Sequence, residues 1–89
     1  MSTIYLLIGS TGEYSDKMEW FLRAYRDVTA ANDECEKLNK LAEGLEKLPW
    51  EDREKAVHER LMPHDAHAQC DYTGVWYSVV AVPLVEAGA

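Results

Sequence analysis

The stretch His64-x-x-His67-x-x-Cys70, with Asp65 inside it and His58 just upstream, places imidazole, thiolate and carboxylate at the short spacing that Zn²⁺ coordination uses. Standard zinc motifs pair their ligands through tight Cys-x-x-Cys turns or through histidines four apart on a helix. Neither is present, so the stretch reads as a solvated loop and no metal is assigned. A second candidate is Gly9-Ser10-Thr11-Gly12, whose backbone N–H groups could cradle a phosphate. A P-loop needs Lys-Ser or Lys-Thr and a following helix, whereas strand-like sequence follows here. Ser10 or Ser15 would serve as a nucleophile only with a histidine base beside it, and every histidine lies beyond residue 57 in a different element. No catalytic residue and no cofactor is assigned, and the chain reads as a non-enzyme.

Composition narrows the partners. With 89 residues, one domain spanning residues 1–89 is expected. A chain of this size buries roughly 60 to 65% of its unfolded surface, which leaves little room for a deep catalytic cleft. The formal charge of −7, from 9 Lys and Arg against 16 Asp and Glu, disfavours a partner held by its phosphates, because binding would add repulsion instead of releasing counterions. Basic protein surfaces fit better. Two cysteines, Cys35 and Cys70, are too few for a disulfide framework and suit a reducing cytosol. Met1-Ser2-Thr3 is followed by only five apolar residues, which is no signal peptide, and no run approaches the roughly 20 that span a bilayer.

The elements that must position these residues follow from periodicity. Ile4 to Ile8 is apolar on both faces, which suits a central strand covered on both sides. Gly9 to Trp20 then reads as a long hairpin loop, rich in glycine, hydroxyl and aspartate, with Glu13, Tyr14, Ser15 and Asp16 at its tip. Trp20 to Tyr25 returns as a strand, with Trp20, Leu22 and Ala24 on one face and Phe21, Arg23 and Tyr25 on the other. Thr29 is the expected N-cap of a helix reaching to about Leu48, whose apolar stripe is Ala31, Cys35, Leu38, Ala42 and Leu45. Glu36 with Lys40 and Glu43 with Lys47 should lace its outer face, and Gly44 should end or bend it. A short second helix from Pro49 carries Trp50, Arg53, Val57 and Leu61 at helical spacing before Pro63 stops it. Met62 to Gln69 has no periodicity. Asp71 to Gly74 reads as a turn into a Val-, Tyr- and Trp-rich strand from Val75 to Val85, with Pro83 marking a sheet edge. The expected fold is α+β, a three-stranded mainly antiparallel sheet with the first strand central and two helices on one face, in the order ββααβ.

Two distant segments together carry a resemblance: Gly-Ser-Thr-Gly-Glu-Tyr-Ser-Asp with Glu19-Trp20, and Asp71-Tyr72-Thr73-Gly74 with the strand from Tyr77 to Leu84. The combination resembles a group of small uncharacterised proteins encoded by tailed phages and prophages, with a Gly-Glu-Tyr-Ser-Asp loop and a C-terminal Asp-Tyr-Thr-Gly strand. The resemblance implies a phage origin and a compact α+β fold; together with the cysteine usage and the lack of an apolar leader or span in the sequence, the expected location is the host cytoplasm. This chain departs from the group around Met62 to Cys70, where an Asn-Pro or Asp-Pro loop without paired histidines is expected.

Two surfaces are expected to do the binding. The Gly9 to Asp16 loop and the Asp71 to Gly74 turn should converge at one end of the sheet and present Glu13, Tyr14, Asp16, Asp71 and Tyr72. Two helices cover only one face of a three-stranded sheet, so the other face should expose Tyr5, Leu7, Phe21, Tyr25 and Tyr77, with Arg23 among them. Aromatic residues with an arginine resemble an interface, and the net charge of −7 argues against base stacking on such a face. The resulting expectation is a small acidic binding protein that occupies a host protein with a basic surface, as an inhibitor of host antiviral defence. A homodimer is the other association considered, and no nucleic acid or membrane partner is expected. The alternative is a small enzyme or nucleotide-ligand binder using the Gly9–Asp16 loop and the Asp71–Gly74 turn.

Overall fold

The computed structural model describes residues 2–85. Its strands are β1 (Ser2–Thr11), β2 (Met18–Tyr25) and β3 (Val75–Leu84), and its helices are α1 (Val28–Ala42) and α2 (Trp50–Ala56). A five-residue π-type turn, Val57–Leu61, extends α2. The sheet order is β2-β1-β3 with both pairings antiparallel, so β1 is central and the α+β class and ββααβ order are as the periodicity predicts. Pro83 falls near the end of edge strand β3, opposite Thr3 of β1, on the kind of strand where a sheet tolerates proline.

Local chemistry explains the helix boundaries. The cap of α1 is Asp27, not Thr29: the Asp27 side chain accepts the Thr29 N–H at 2.9 Å. The helix stops at Ala42, and Gly44 takes φ +83°, a left-handed conformation that glycine adopts without steric cost. Glu36 and Lys40 pair at 3.3 Å as expected. Glu43 and Lys47 form no ion pair among the described residues, because both lie beyond the end of the helix. The apolar stripe does face the sheet, and Leu38, Ala42 and Leu45 meet Leu7, Val57, Leu61, Val75 and Tyr77 in one core.

The register corrects the expected composition of the two sheet faces. Leu7 pairs with Arg23 but Ile8 pairs with Phe21, so Leu22 is an extra residue, a β-bulge in β2. The bulge breaks the period of two, leaving Phe21 on the uncovered face while Arg23 and Tyr25 turn to the helix side. Tyr5, which pairs with Tyr25, also lies on the helix side. Leu7 and Tyr77, expected on the open face, are buried in the core. The uncovered face is instead built from Ile4, Leu6 and Ile8 of β1, Phe21 and Ala24 of β2, and Trp76, Val80 and Val82 of β3, as the pairings dictate.

Trp20 belongs to the helix side, and Gly9 makes room for it. A Cβ on Gly9 would lie 2.5 Å from the Trp20 ring, so only glycine lets the indole cross β1 at that point.

Candidate functional site

The two signature segments meet. Thr11, the last residue of β1, pairs with Met18 of β2 and Val75 of β3, which sets the hairpin loop and the turn before β3 at the same end of the sheet. A single side chain ties them together. The buried Thr11 hydroxyl donates to the Gly74 carbonyl at 2.7 Å and accepts the Asp71 N–H at 3.0 Å. Within the loop, the Asp16 N–H closes a 3₁₀ turn onto the Glu13 carbonyl at 3.0 Å, holding Glu13, Ser15 and Asp16 outward. The backbone of Tyr14 lies in that turn, and its side chain is outside the described part of the structure. In the turn before β3, the Gly74 N–H donates to the Asp71 carbonyl at 3.1 Å, and Tyr72 stands 72% exposed beside it.

Beside these segments lies a cleft of about 390 Å³, within the range that holds a ligand or a large side chain of a partner. Met18, Trp50, Val57 and Met62 supply its apolar wall. Asp16, Glu54 and Asp71 stand among the residues that line it, and among the described residues His58 is the only basic one there, with no Lys or Arg. Trp50, which the helical spacing directs to the core, is 65% exposed at the start of α2 and offers its ring to this cleft. Nothing in the spacing distinguishes it from Val57 and Leu61, which are buried; only its place in the first turn, ahead of the core, sets it apart.

The charge state of the rim follows from its contacts. Burial alone would raise the Asp71 carboxyl, but hydrogen bonds from the Thr73 hydroxyl and N–H, together with the positive charge of Arg53, outweigh it and hold the group below its usual range. Because the folded carboxyl titrates below the unfolded one, its contribution to stability is present at every pH above the ordinary aspartate value. It is lost as pH falls through the lowered one. Denaturant stability measured from neutral pH down to about pH 3 should therefore fall less steeply in Asp71→Asn than in the wild type. An identical pH profile in the two proteins would contradict this role for Asp71.

Cys70 is no nucleophile. Burial pushes its thiol up to about 11, with Arg53 opposing and the carboxylates of Asp71 and Glu46 adding to the rise, so it keeps its proton at neutral pH. Its Sγ donates to the Asp71 carbonyl at 3.4 Å. Arg53, half-buried nearby, donates through Nη2 to the Leu48 carbonyl at 3.1 Å, while its buried Nε has no partner.

The Met62–Gln69 stretch is not the solvated loop that its composition suggests. Asp65 is 3% exposed, and its Oδ2 accepts both the Trp20 indole N–H at 2.8 Å and the Tyr77 hydroxyl at 2.9 Å. Its Oδ1 accepts the His67 N–H at 3.1 Å. One carboxylate thus pins the segment after the π-type turn to β2 and β3. Burial, followed by the charge and hydrogen bond of Asp65, raises the Tyr77 phenol far above its usual value, so the hydroxyl remains a donor. The sequence offers no local signal for this, since Trp20 lies 45 residues and Tyr77 12 residues from Asp65.

The residues singled out for the open face do not join the loop end. Arg23 donates to the His64 carbonyl at 2.6 Å, holding the Asp65 segment from its outer side, and Tyr25 packs against the core. Among the described residues there is no group of three or more His, Cys, Asp or Glu arranged to hold a metal ion. A strong chelator is expected to leave the melting temperature unchanged, since only an assembled site stabilises the native state by binding. A drop of several degrees, reversed by Zn²⁺, would make His64, His67 and Cys70 ligands after all. No helix among the described residues is long and apolar enough to cross a membrane. In comparison with known proteins, no family model, no curated protein and no solved structure matches this chain.

Proposed function

We propose that this chain is a non-enzymatic binding protein of the phage-encoded kind its motifs resemble, and that it occupies a basic surface of a host protein with the loop end of its sheet. In this reading it acts in the host cytoplasm as an inhibitor of antiviral defence. The observation that supports it is the joining of an apolar cleft, with Trp50 exposed in its wall, to the carboxylates of Asp16, Glu54 and Asp71, and the exposed Tyr72 follows Asp71 in the same turn. Exposed aromatic side chains carry a large share of interface energy, and an acidic rim steers a basic partner and excludes an acidic one. The cleft volume of about 390 Å³ also suits a second reading, a small cationic ligand bound there.

Stoichiometry tests the first reading. Affinity capture from host lysate at low salt should yield a basic protein bound one-to-one and released as salt rises, because the contact is partly electrostatic. Activity of that host protein should fall linearly with added chain and vanish at equivalence. Loss of activity at far less than one equivalent would instead identify an enzyme.

A further inference from the structure

The helix-free face of the sheet has an occupant of its own. We infer that it is covered by a second copy of this chain, the two sheets packing face to face to form a closed dimer with helices on both outer sides. Ile4, Leu6, Ile8, Phe21, Trp76 and Val80 form one continuous apolar surface across all three strands, with Phe21 53% and Val80 42% exposed. Strand β1 is apolar at both parities, the pattern of a strand buried on two sides, yet this chain covers only one. A second sheet about 10 Å away supplies the missing layer.

The surface area agrees with that need. The chain exposes 6010 Å², whereas a folded monomer of its 10.1 kDa mass exposes about 5,300 Å². The excess of roughly 700 Å² is close to the share of about 800 Å² that each partner loses in a standard interface. The radius of gyration, 14.7 Å, likewise exceeds the value of about 12 Å for a compact domain of this length.

Charge selects the second copy over a foreign partner. Among the described residues of the three strands, Glu19 at the corner is the one ionised side chain on this face, and Lys17, just before β2, neutralises it at 3.9 Å. A two-fold axis through the face therefore brings no like charges into contact, while a basic partner drawn by the net charge of −7 would find nothing there to pair with. The remaining acidic groups of the two copies repel across the dimer at long range. Salt screens that repulsion, so self-association should tighten as salt rises, opposite in sign to partner binding at the loop end.

The test measures mass by sedimentation, with the full chain at high micromolar concentration in low and high salt. A mass of twice 10.1 kDa is expected, with a dissociation constant that falls several-fold as salt increases. Phe21→Lys combined with Val80→Lys should weaken association by about 30-fold or more while far-ultraviolet circular dichroism stays unchanged, since both side chains point away from the helices. Diluting the unmodified protein gives a variant-free readout: the Trp76 indole N–H resonance should shift on dissociation and that of Trp50 should not. A wild-type monomer at both salts overturns the inference, as does a mass beyond two chains. So does a dimer that persists in the folded double variant, or dilution shifts confined to Trp50. Should the double variant unfold, the dilution shifts alone decide.

Discussion

Asp65→Ala is expected to destabilise the protein by about 3 kcal/mol, a large part of the total for a domain of this size. The Trp20 indole N–H and the Tyr77 hydroxyl both end on Oδ2, and alanine leaves both donors without an acceptor in a place that water does not reach. Each orphaned buried donor costs about 1–3 kcal/mol. A loss of about 3 kcal/mol lowers the melting temperature of an 89-residue domain by roughly 12–24 °C. Asp65→Asn should cost less: its remaining carbonyl oxygen can keep the Trp20 and Tyr77 bonds, and only the contact to the His67 N–H is replaced by two opposed donors. Urea denaturation of the three proteins, followed by Trp fluorescence, checks the order. An Asp65→Ala variant within about 0.5 kcal/mol of wild type would mean that this carboxylate is not the pin described above.

That carboxylate also marks where sequence reading stopped. The break of the first helix at Gly44, the hairpin loop and the Asp71–Gly74 turn were legible because their causes are local: a glycine that takes positive φ, a hydroxyl and aspartate cluster. The apolar stripe from Ala31 to Leu45 was legible for the same reason, its period being that of the helix itself. The start of that helix was not, since Asp27 and Thr29 are both good caps and the sequence favours neither. Asp65 was not legible, since a polar residue in an aperiodic stretch shows nothing of two donors that arrive from β2 and β3. The bulge at Leu22 defeated the strand reading in another way. It contains no glycine to announce it, and one uncounted residue sent Arg23 and Tyr25 to the face opposite Phe21. Of the eight residues expected to bind a partner, the backbones carrying Glu13, Tyr14, Asp16, Asp71 and Tyr72 do come together at the loop end. Phe21 alone remains on the open face. Trp50 joins the loop-end group although its spacing pointed inward, because a first-turn position lets its ring lie beside the cleft and not beneath it.

Trp50→Ala and Tyr72→Ala are each expected to weaken host-protein binding by about 2 kcal/mol, or roughly 30-fold, with no comparable change in stability. Both side chains are mostly exposed, so their removal deprives the core of little, and what is lost is contact area available only to a partner. Thr11→Val should act on the same binding through position instead of contact. It keeps the side-chain shape but breaks the bonds to Gly74 and Asp71, costing about 1–3 kcal/mol of stability and loosening the two segments from each other. Phe21→Lys with Val80→Lys should leave host-protein affinity at the wild-type value, since the proposed host contact is at the loop end and not on the sheet face.

The three tryptophans make one measurement decisive, because each reports a different place: Trp20 in the core beside Asp65, Trp50 at the cleft, and Trp76 on the helix-free face. Titrating the ¹⁵N-labelled protein with the host protein captured from lysate should shift or broaden the Trp50 indole resonance, leaving those of Trp20 and Trp76 in place. Movement of Trp76 with Trp50 unchanged would contradict the account, placing the host protein on the sheet face and not at the loop end.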